Sequence, residues 1–92
     1  MKVNVRVFGD LATTLGRKHV VELEEGSTVT TLANRIAEKA EPKRQGYLGN
    51  YKVGGGDLAI LVNGKNIHLL GGIDTVLHDA DEVVILPPVT GG

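Results

Sequence analysis

Residues 27–40 read Ser27-Thr28-Val29-Thr30-Thr31-Leu32-Ala33-Asn34-Arg35-Ile36-Ala37-Glu38-Lys39-Ala40 and hold the single long helical period of the chain. Val29, Leu32, Ala33, Ile36, Ala37 and Ala40 fall on one face, while Asn34, Arg35, Glu38 and Lys39 fall on the opposite one. Ser27 or Thr28 supplies the cap, because a hydroxyl there can accept from the unpaired N–H groups of the first turn. Glu41-Pro42 stops the helix, since the residue before a proline is pushed out of the α region.

The flanks of this helix read as strands. Lys2–Phe8 sets Val3, Val5 and Val7 on one face and Lys2, Asn4 and Arg6 on the other, the period of a half-buried strand. Gly9-Asp10 ends it. Leu11, Ala12 and Leu15 then form a short helical turn that Asp10 is placed to cap and Gly16 to close. His19–Leu23 is a second strand, with Val21 and Leu23 inward. Beyond the helix, residues 42–57 read as a loop containing Gly46, Gly49 and the run Gly54-Gly55-Gly56, with Tyr47, Leu48 and Val53 expected to dip onto the core. Leu58-Ala59-Ile60-Leu61-Val62 is an unbroken apolar run, expected to be a strand covered on both sides. Asn63-Gly64 is a strong hairpin turn, and a short strand around Asn66–His68 follows it. Gly71-Gly72 and Asp74 mark a turn, Leu77 anchors a segment, and Asp79 and Asp81 make a polar turn before the last strand, Glu82–Leu86. One helix between two strand pairs predicts an α+β fold of β-grasp (ubiquitin-like) type. It would have a mixed sheet of four to five strands, the helix packed on one face and a flexible C-terminal tail. The first and last strands are the expected central pair.

At 92 residues the chain makes one domain, able to bury roughly 60–65% of its unfolded surface. The boundaries expected are 1–86 for the domain and 87–92 for an extended tail. Ten Lys and Arg against eleven Asp and Glu give a net charge of −1, which leaves no general basic field for phosphate backbones. The aromatic residues are Phe8, Tyr47 and Tyr51, too few for a base-stacking surface, so no direct nucleic-acid binding is expected. There is no cysteine, which removes disulfides, thiolate metal sites and thiol nucleophiles together. No apolar run reaches the length of a membrane span, and the opening residues lack a signal-peptide core. A soluble cytoplasmic protein is expected.

A reaction centre is hard to find in the body. His19, His68 and His78 form no helical i, i+4 pair, and no carboxylate cluster completes a metal set, so neither a metal nor a cofactor is expected. The Gly54–Gly56 run imitates a phosphate loop, but Gly64-Lys65 is followed by Asn66 where Ser or Thr is required. Ser27, the only serine, stands where a cap is needed. The acidic Glu22, Glu24 and Glu25 and the basic Lys39, Lys43 and Arg44 read as solvated faces. The folded body offers no reaction centre, so an enzyme is not expected.

The tail, Pro87-Pro88-Val89-Thr90-Gly91-Gly92, has a different character. Two prolines cannot join a sheet interior and hold the chain extended. Gly91 and Gly92 carry no Cβ and fit a channel too narrow for other residues. An activated carboxyl on Gly92 has no stereocentre to lose and offers an unhindered acyl carbon. Stiff arm, slim tip and activatable carboxylate suit a protein whose own C-terminus is the substrate.

The chain resembles the ubiquitin-like sulfur carriers, specifically the molybdopterin synthase small-subunit (MoaD-like) group and the small archaeal modifier proteins. The resemblance runs over the whole chain. It is most specific in Leu77, Asp79, Asp81-Glu82-Val83 and Leu86-Pro87-Pro88-Val89-Thr90-Gly91-Gly92. Val7-Phe8-Gly9-Asp10-Leu11, Leu15-Gly16, Asn63-Gly64-Lys65 and Ile67 also fit it. It implies that an E1-like adenylating enzyme uses ATP to activate the carboxylate of Gly92, which becomes a thiocarboxylate. It implies further that Pro87, Pro88, Val89, Thr90 and Gly91 thread the tail into a partner's active site, that Leu86 docks, and that the molybdopterin synthase large subunit takes the sulfur. In the archaeal modifiers the same activated carboxyl implies isopeptide bonds to lysines of target proteins, or sulfur supply for tRNA thiolation. Two residues depart from the pattern. Ala80 stands where many members have Gly, so a positive φ there would be strained. Leu86 stands where many have Phe and would fill the partner's pocket less fully. The activating enzyme is expected on the exposed sheet face near the last strand. Ile60, Val62, Val84 and Leu86 are the candidates for that layer, with Ile60 and Val84 read as core.

Overall fold

The computed structural model describes residues 1–39 and 44–88. Its elements run β1 (Lys2–Val7), α1 (Asp10–Leu15), β2 (Lys18–Glu22), α2 (Val29–Ala37), β3 (Tyr47–Leu48), β4 (Tyr51–Lys52), β5 (Ala59–Val62), β6 (Lys65–Asn66), two single-turn 3₁₀ segments (Ile67–Leu69 and Gly72–Asp74), and β7 (Glu82–Leu86). The main sheet has five strands in the order β2-β1-β7-β5-β6. β1 and β7 pair in parallel at its middle, with Val5 opposite Val83 and Val7 opposite Ile85. The remaining pairs in this sheet are antiparallel. This is the expected β-grasp sheet, with the first and last strands as neighbours.

The core lies between one sheet face and α2. Val3, Val5 and Val7 of β1, Val83 and Ile85 of β7, and Ile60 and Val62 of β5 all point to that face and are buried. Val29, Leu32, Ala33, Ile36 and Ala37 of α2 cover them. Leu77 is 1% exposed and closes the core from the connection before β7, as expected of an anchor.

The structure settles some local features of the sequence reading and departs from others. Thr28 is the cap of α2, its Oγ1 accepting from the Thr31 N–H at 3.5 Å, while Ser27 donates its hydroxyl to the Glu24 carbonyl at 2.7 Å. α2 ends at Ala37, and the expected stop at Glu41-Pro42 lies outside the described residues, as does Ala40. Gly9 holds the N-cap position of α1 with no side-chain cap, and Asp10 is the first helical residue instead of the cap. Asp10 instead accepts a 2.8 Å hydrogen bond from the Tyr51 hydroxyl, which ties α1 to a second, two-stranded sheet formed by β3 and β4. That hairpin lies inside the stretch read as loop. Leu48 and Val53 are buried there, and Tyr47 is half-buried. After β6 the chain turns into 3₁₀ geometry, where a strand was expected, because the Asn66 side chain accepts from the His68 N–H and caps the turn. β5 alternates half-exposed and buried residues, so it is covered on one face and not on both.

Ala80 adopts φ 67°, the left-handed conformation anticipated for the Asp79-Ala80-Asp81 turn. Its N–H donates to the Lys2 carbonyl at 2.8 Å. Asp79 accepts from the Lys2 N–H at 2.8 Å, and Asp81 accepts from the His78 N–H at 2.8 Å and from Asn63 Nδ2 at 2.9 Å. Asn63, at φ 50° in the hairpin turn before Gly64, accepts from the Glu82 N–H at 2.9 Å. These bonds fix where β7 starts and therefore where it ends.

Candidate functional site: the root of the C-terminal tail

β7 leaves the sheet at its C-terminal end beside the end of β1. The Phe8 N–H donates to the Ile85 carbonyl at 3.0 Å, extending the parallel ladder by one step. Leu86 is half-buried, Pro87 is buried and Pro88 is exposed. Pro87 is seated on Gly9: a Cβ built on Gly9 would lie 2.7 Å from the proline Cγ, and the backbone there has φ +69°. Both facts require glycine at this position. The tail is thus directed by a strand held in mid-sheet and by a ring lodged against the loop after β1. The remaining tail positions expected to thread a partner or carry the acyl group, Val89, Thr90, Gly91 and Gly92, lie outside the described residues.

The outer sheet face beside this root carries an apolar strip, bordered by Arg6 opposite Val84. Opposition across the β5–β7 ladder pairs Ala59 with Leu86 and Leu61 with Val84. All four residues are half-exposed. Phe8, at the end of β1, is 46% exposed. Of the residues named as candidate docking positions, Leu86 is on this face. Val84 is there too and is not core, because β7 turns Val83 and Ile85 inward and so must turn Val84 outward. Ile60 is core as expected, and Val62 points inward beside it. Phe8 and Leu61 complete the face. The signal for Phe8 was its position one step past three alternating inward valines. No such signal existed for Leu61, which sits inside an unbroken apolar run.

Among the described residues no three His, Asp or Glu side chains gather as a metal site. The histidines are apart: His19 Nε2 lies 3.2 Å from the Gly16 carbonyl and its Nδ1 3.5 Å from Lys39 Nζ, while His78 Nδ1 lies 3.9 Å from Asp81. Arg44 stacks its guanidinium 3.9 Å from the Tyr47 ring centroid. Glu22, Glu24, Glu25 and Lys39 are exposed, in keeping with solvated faces, and Lys43 lies outside the described residues. The Asp10 carboxylate beside the Tyr51 hydroxyl holds that phenol above its ordinary ionisation range, first through the hydrogen bond itself. No helix among the described residues is long and apolar enough to cross a membrane.

The sequence profile of the ThiS family matches residues 5–92. Among solved structures, the chain is similar to a putative molybdopterin converting factor, subunit 1, from Pyrococcus furiosus: 30% identity, 97% of this chain and 99% of that one covered, TM-score 0.74. It is similar to small archaeal modifier protein 1 from Methanosarcina acetivorans at 30% identity, with 99% and 96% covered and TM-score 0.73. A chain in the BexX/CysO complex of Amycolatopsis orientalis shares the fold at 24% identity, with 98% and 99% covered and TM-score 0.68. No curated protein sequence matches the chain.

Proposed function

The chain belongs to the ThiS family and has the ubiquitin-like fold of sulfur carriers and modifiers; from that premise we propose that it is a sulfur carrier whose Gly92 carboxylate is the reacting group. An E1-like enzyme brings ATP to the tail. A carboxylate oxygen of Gly92 attacks the α-phosphorus, pyrophosphate leaves, and the carboxyl becomes an acyl-adenylate. Sulfide delivered by a partner then displaces AMP and leaves a thiocarboxylate. The acceptor is the pterin precursor of molybdopterin, held by the synthase large subunit, so the product serves molybdenum or tungsten cofactor biosynthesis. Pro87 and Pro88 give the arm its direction, Val89, Thr90 and Gly91 thread the active site, and Leu86 docks with Phe8, Leu61 and Val84.

The observation that supports this most is the root itself. A mid-sheet strand ends in Pro87 lodged on Gly9, and an unpartnered apolar face stands beside it. A rigid body that aims one extended arm and offers an adjoining docking face suits delivery of a tail to an enzyme. Intact mass after incubation with the E1-like partner, ATP and a sulfur donor tests it. An oxygen-to-sulfur mass increase that disappears in the Gly92 deletion is expected; its absence from the wild type under these conditions defeats the proposal.

The 30% identity to a small archaeal modifier protein supports a second use of the same adenylate. There a lysine amine of a target protein attacks the acyl carbon and AMP leaves, giving an isopeptide; sulfur supply to tRNA is the further alternative. Lys65 is the last lysine or arginine in the sequence, so trypsin would leave Asn66–Gly92 on a modified lysine. A conjugate ladder unchanged by deleting Gly92 would remove this reading.

A further inference from the structure

A cleft of about 520 Å³ opens next to the tail root, at the end of the sheet where β1 passes into α1. Arg6, Phe8, Ala12, Thr13, Arg17 and Lys18 line it, and no acidic residue does. Arg6 and Lys18 are direct partners in the β1–β2 ladder, so both side chains rise from the same outer face. Like charges so placed oppose strand pairing, and nothing in the fold requires them. The only contact at salt-bridge distance among the described residues, His78 with Asp81 at 3.9 Å, lies at the far end of the sheet and involves no lysine or arginine. The three cations are exposed and make no ion pair within the described chain.

The far end carries the opposite sign. β2 runs antiparallel to β1 and β7 runs parallel to it. Glu22, Glu24, Glu25, Asp79, Asp81 and Glu82 therefore collect where β2 ends and β7 begins. Lys2 stands opposite Glu22 at that end and Asp10 follows Gly9 at the other, so the separation is partial: carboxylates outnumber cations at the far end, and cations outnumber carboxylates at the tail root.

We propose that this cleft receives an acidic segment of the enzyme that takes up the tail, with its carboxylates against Arg6, Arg17 and Lys18 and an apolar side chain beside Phe8 and Ala12. The proposal rests on the carrier reading above. Position favours it: Gly9 belongs to the cleft wall and is the residue on which Pro87 rests, so a segment seated here sits within a few residues of the arm. Charge favours it as well. Three cations in one short cleft match a local run of carboxylates, whereas the acidic far end repels an extended polyanion such as RNA. The three cations also attract a negative surface to the side of the chain that carries the tail, which raises the rate of productive encounter.

The test titrates the isotope-labelled full chain with a synthetic peptide of Asp and Glu residues around one Phe, and separately with adenosine monophosphate and with transfer RNA. The peptide is expected to move the backbone amide signals of Arg6, Phe8, Thr13, Arg17 and Lys18 at low salt, and the Arg6→Glu, Lys18→Glu double variant is expected to lose those shifts. In activation assays the double variant is expected to raise KM for the carrier about tenfold with kcat retained, and to flatten the dependence of KM on salt. Shifts confined to another surface, an unchanged KM and salt slope, or occupancy by RNA or the nucleotide and not the peptide would overturn the proposal. Arg6→Gln with Lys18→Gln removes charge without reversing it and gives the same readouts if the reversal variant is unstable. Deleting Gly92 separates the two readings: it abolishes activation and should leave peptide binding at the cleft intact. A cleft that binds the peptide on a chain whose Gly92 is never activated overturns the carrier reading and not the cleft.

Discussion

Ala80 carries the plainest local strain among the described residues. A non-glycine residue at φ 67° brings its Cβ against its own backbone, at about 1–2 kcal/mol. The bonds from Ala80 to Lys2, from Lys2 to Asp79 and from His78 to Asp81 hold it there. Ala80→Gly should relieve the strain, offset partly by greater freedom of the unfolded chain, for a net gain of about 0.5–1 kcal/mol. A urea midpoint that falls in this variant would contradict that account. The turn was legible in sequence, since two aspartates flank it, and so was its strain. The Tyr51–Asp10 bond was not legible, because it joins residues 41 apart that only the fold brings together. It raises the Tyr51 pKa above its ordinary value of 10.0. The folded state therefore keeps that proton longer than the unfolded state does. Its stabilisation is fully present below the unfolded pKa and is lost as pH rises through the folded one. The stability advantage of wild type over Tyr51→Phe should shrink once pH passes 10.0, as read by urea midpoints on the alkaline side. An advantage that stays constant there rules this out.

At the level of elements, β7 divides the labour between its two faces. Ile85 is 2% exposed and packs in the core, whereas Leu86 is half-exposed on the outer face proposed for docking. Ile85→Ala should cost about 2–5 kcal/mol of stability, and the fraction that remains folded should be activated normally. Leu86→Asp should leave the melting temperature close to wild type and raise KM in the activation assay. If Leu86→Asp unfolds the chain and leaves KM unchanged in the folded fraction, the assignment of faces is reversed. Residue type alone did not separate these faces. A sheet face that packs a helix and one that docks a partner use the same Val, Leu and Ile, so Val84 read as core and β5 read as doubly covered. The β3–β4 hairpin escaped for another reason. Strands of two residues are too short to show a period, although Gly49-Asn50 between Tyr47-Leu48 and Tyr51-Lys52 is itself a turn signal.

For the whole molecule, the proposed activity requires the body to stay rigid while the tail tip is consumed. Adding one residue after Gly92 should leave the thermal midpoint unchanged and abolish both thiocarboxylate and conjugate formation. A non-covalent interaction domain of the same fold would tolerate the addition, so retained function in the extended chain would favour that class instead. Period and punctuation were enough to order the elements: one amphipathic helix between strand pairs, an Asn-Gly hairpin, a polar turn and a Pro-Pro exit leave few arrangements that bury every apolar face once. The chemistry proposed for the Gly-Gly tip rests on the sequence alone, because it depends on what glycine lacks and not on its surroundings. What required the tertiary structure was direction and sign. Register decided which residues of β5 and β7 face outward, and Pro87 on Gly9 decided where the arm begins. The antiparallel pairing of β1 with β2 set Lys18 opposite Arg6, and the parallel pairing of β1 with β7 placed that pair beside the tail root. Those outcomes are set by distances between residues far apart in the chain, and no local pattern encodes such distances.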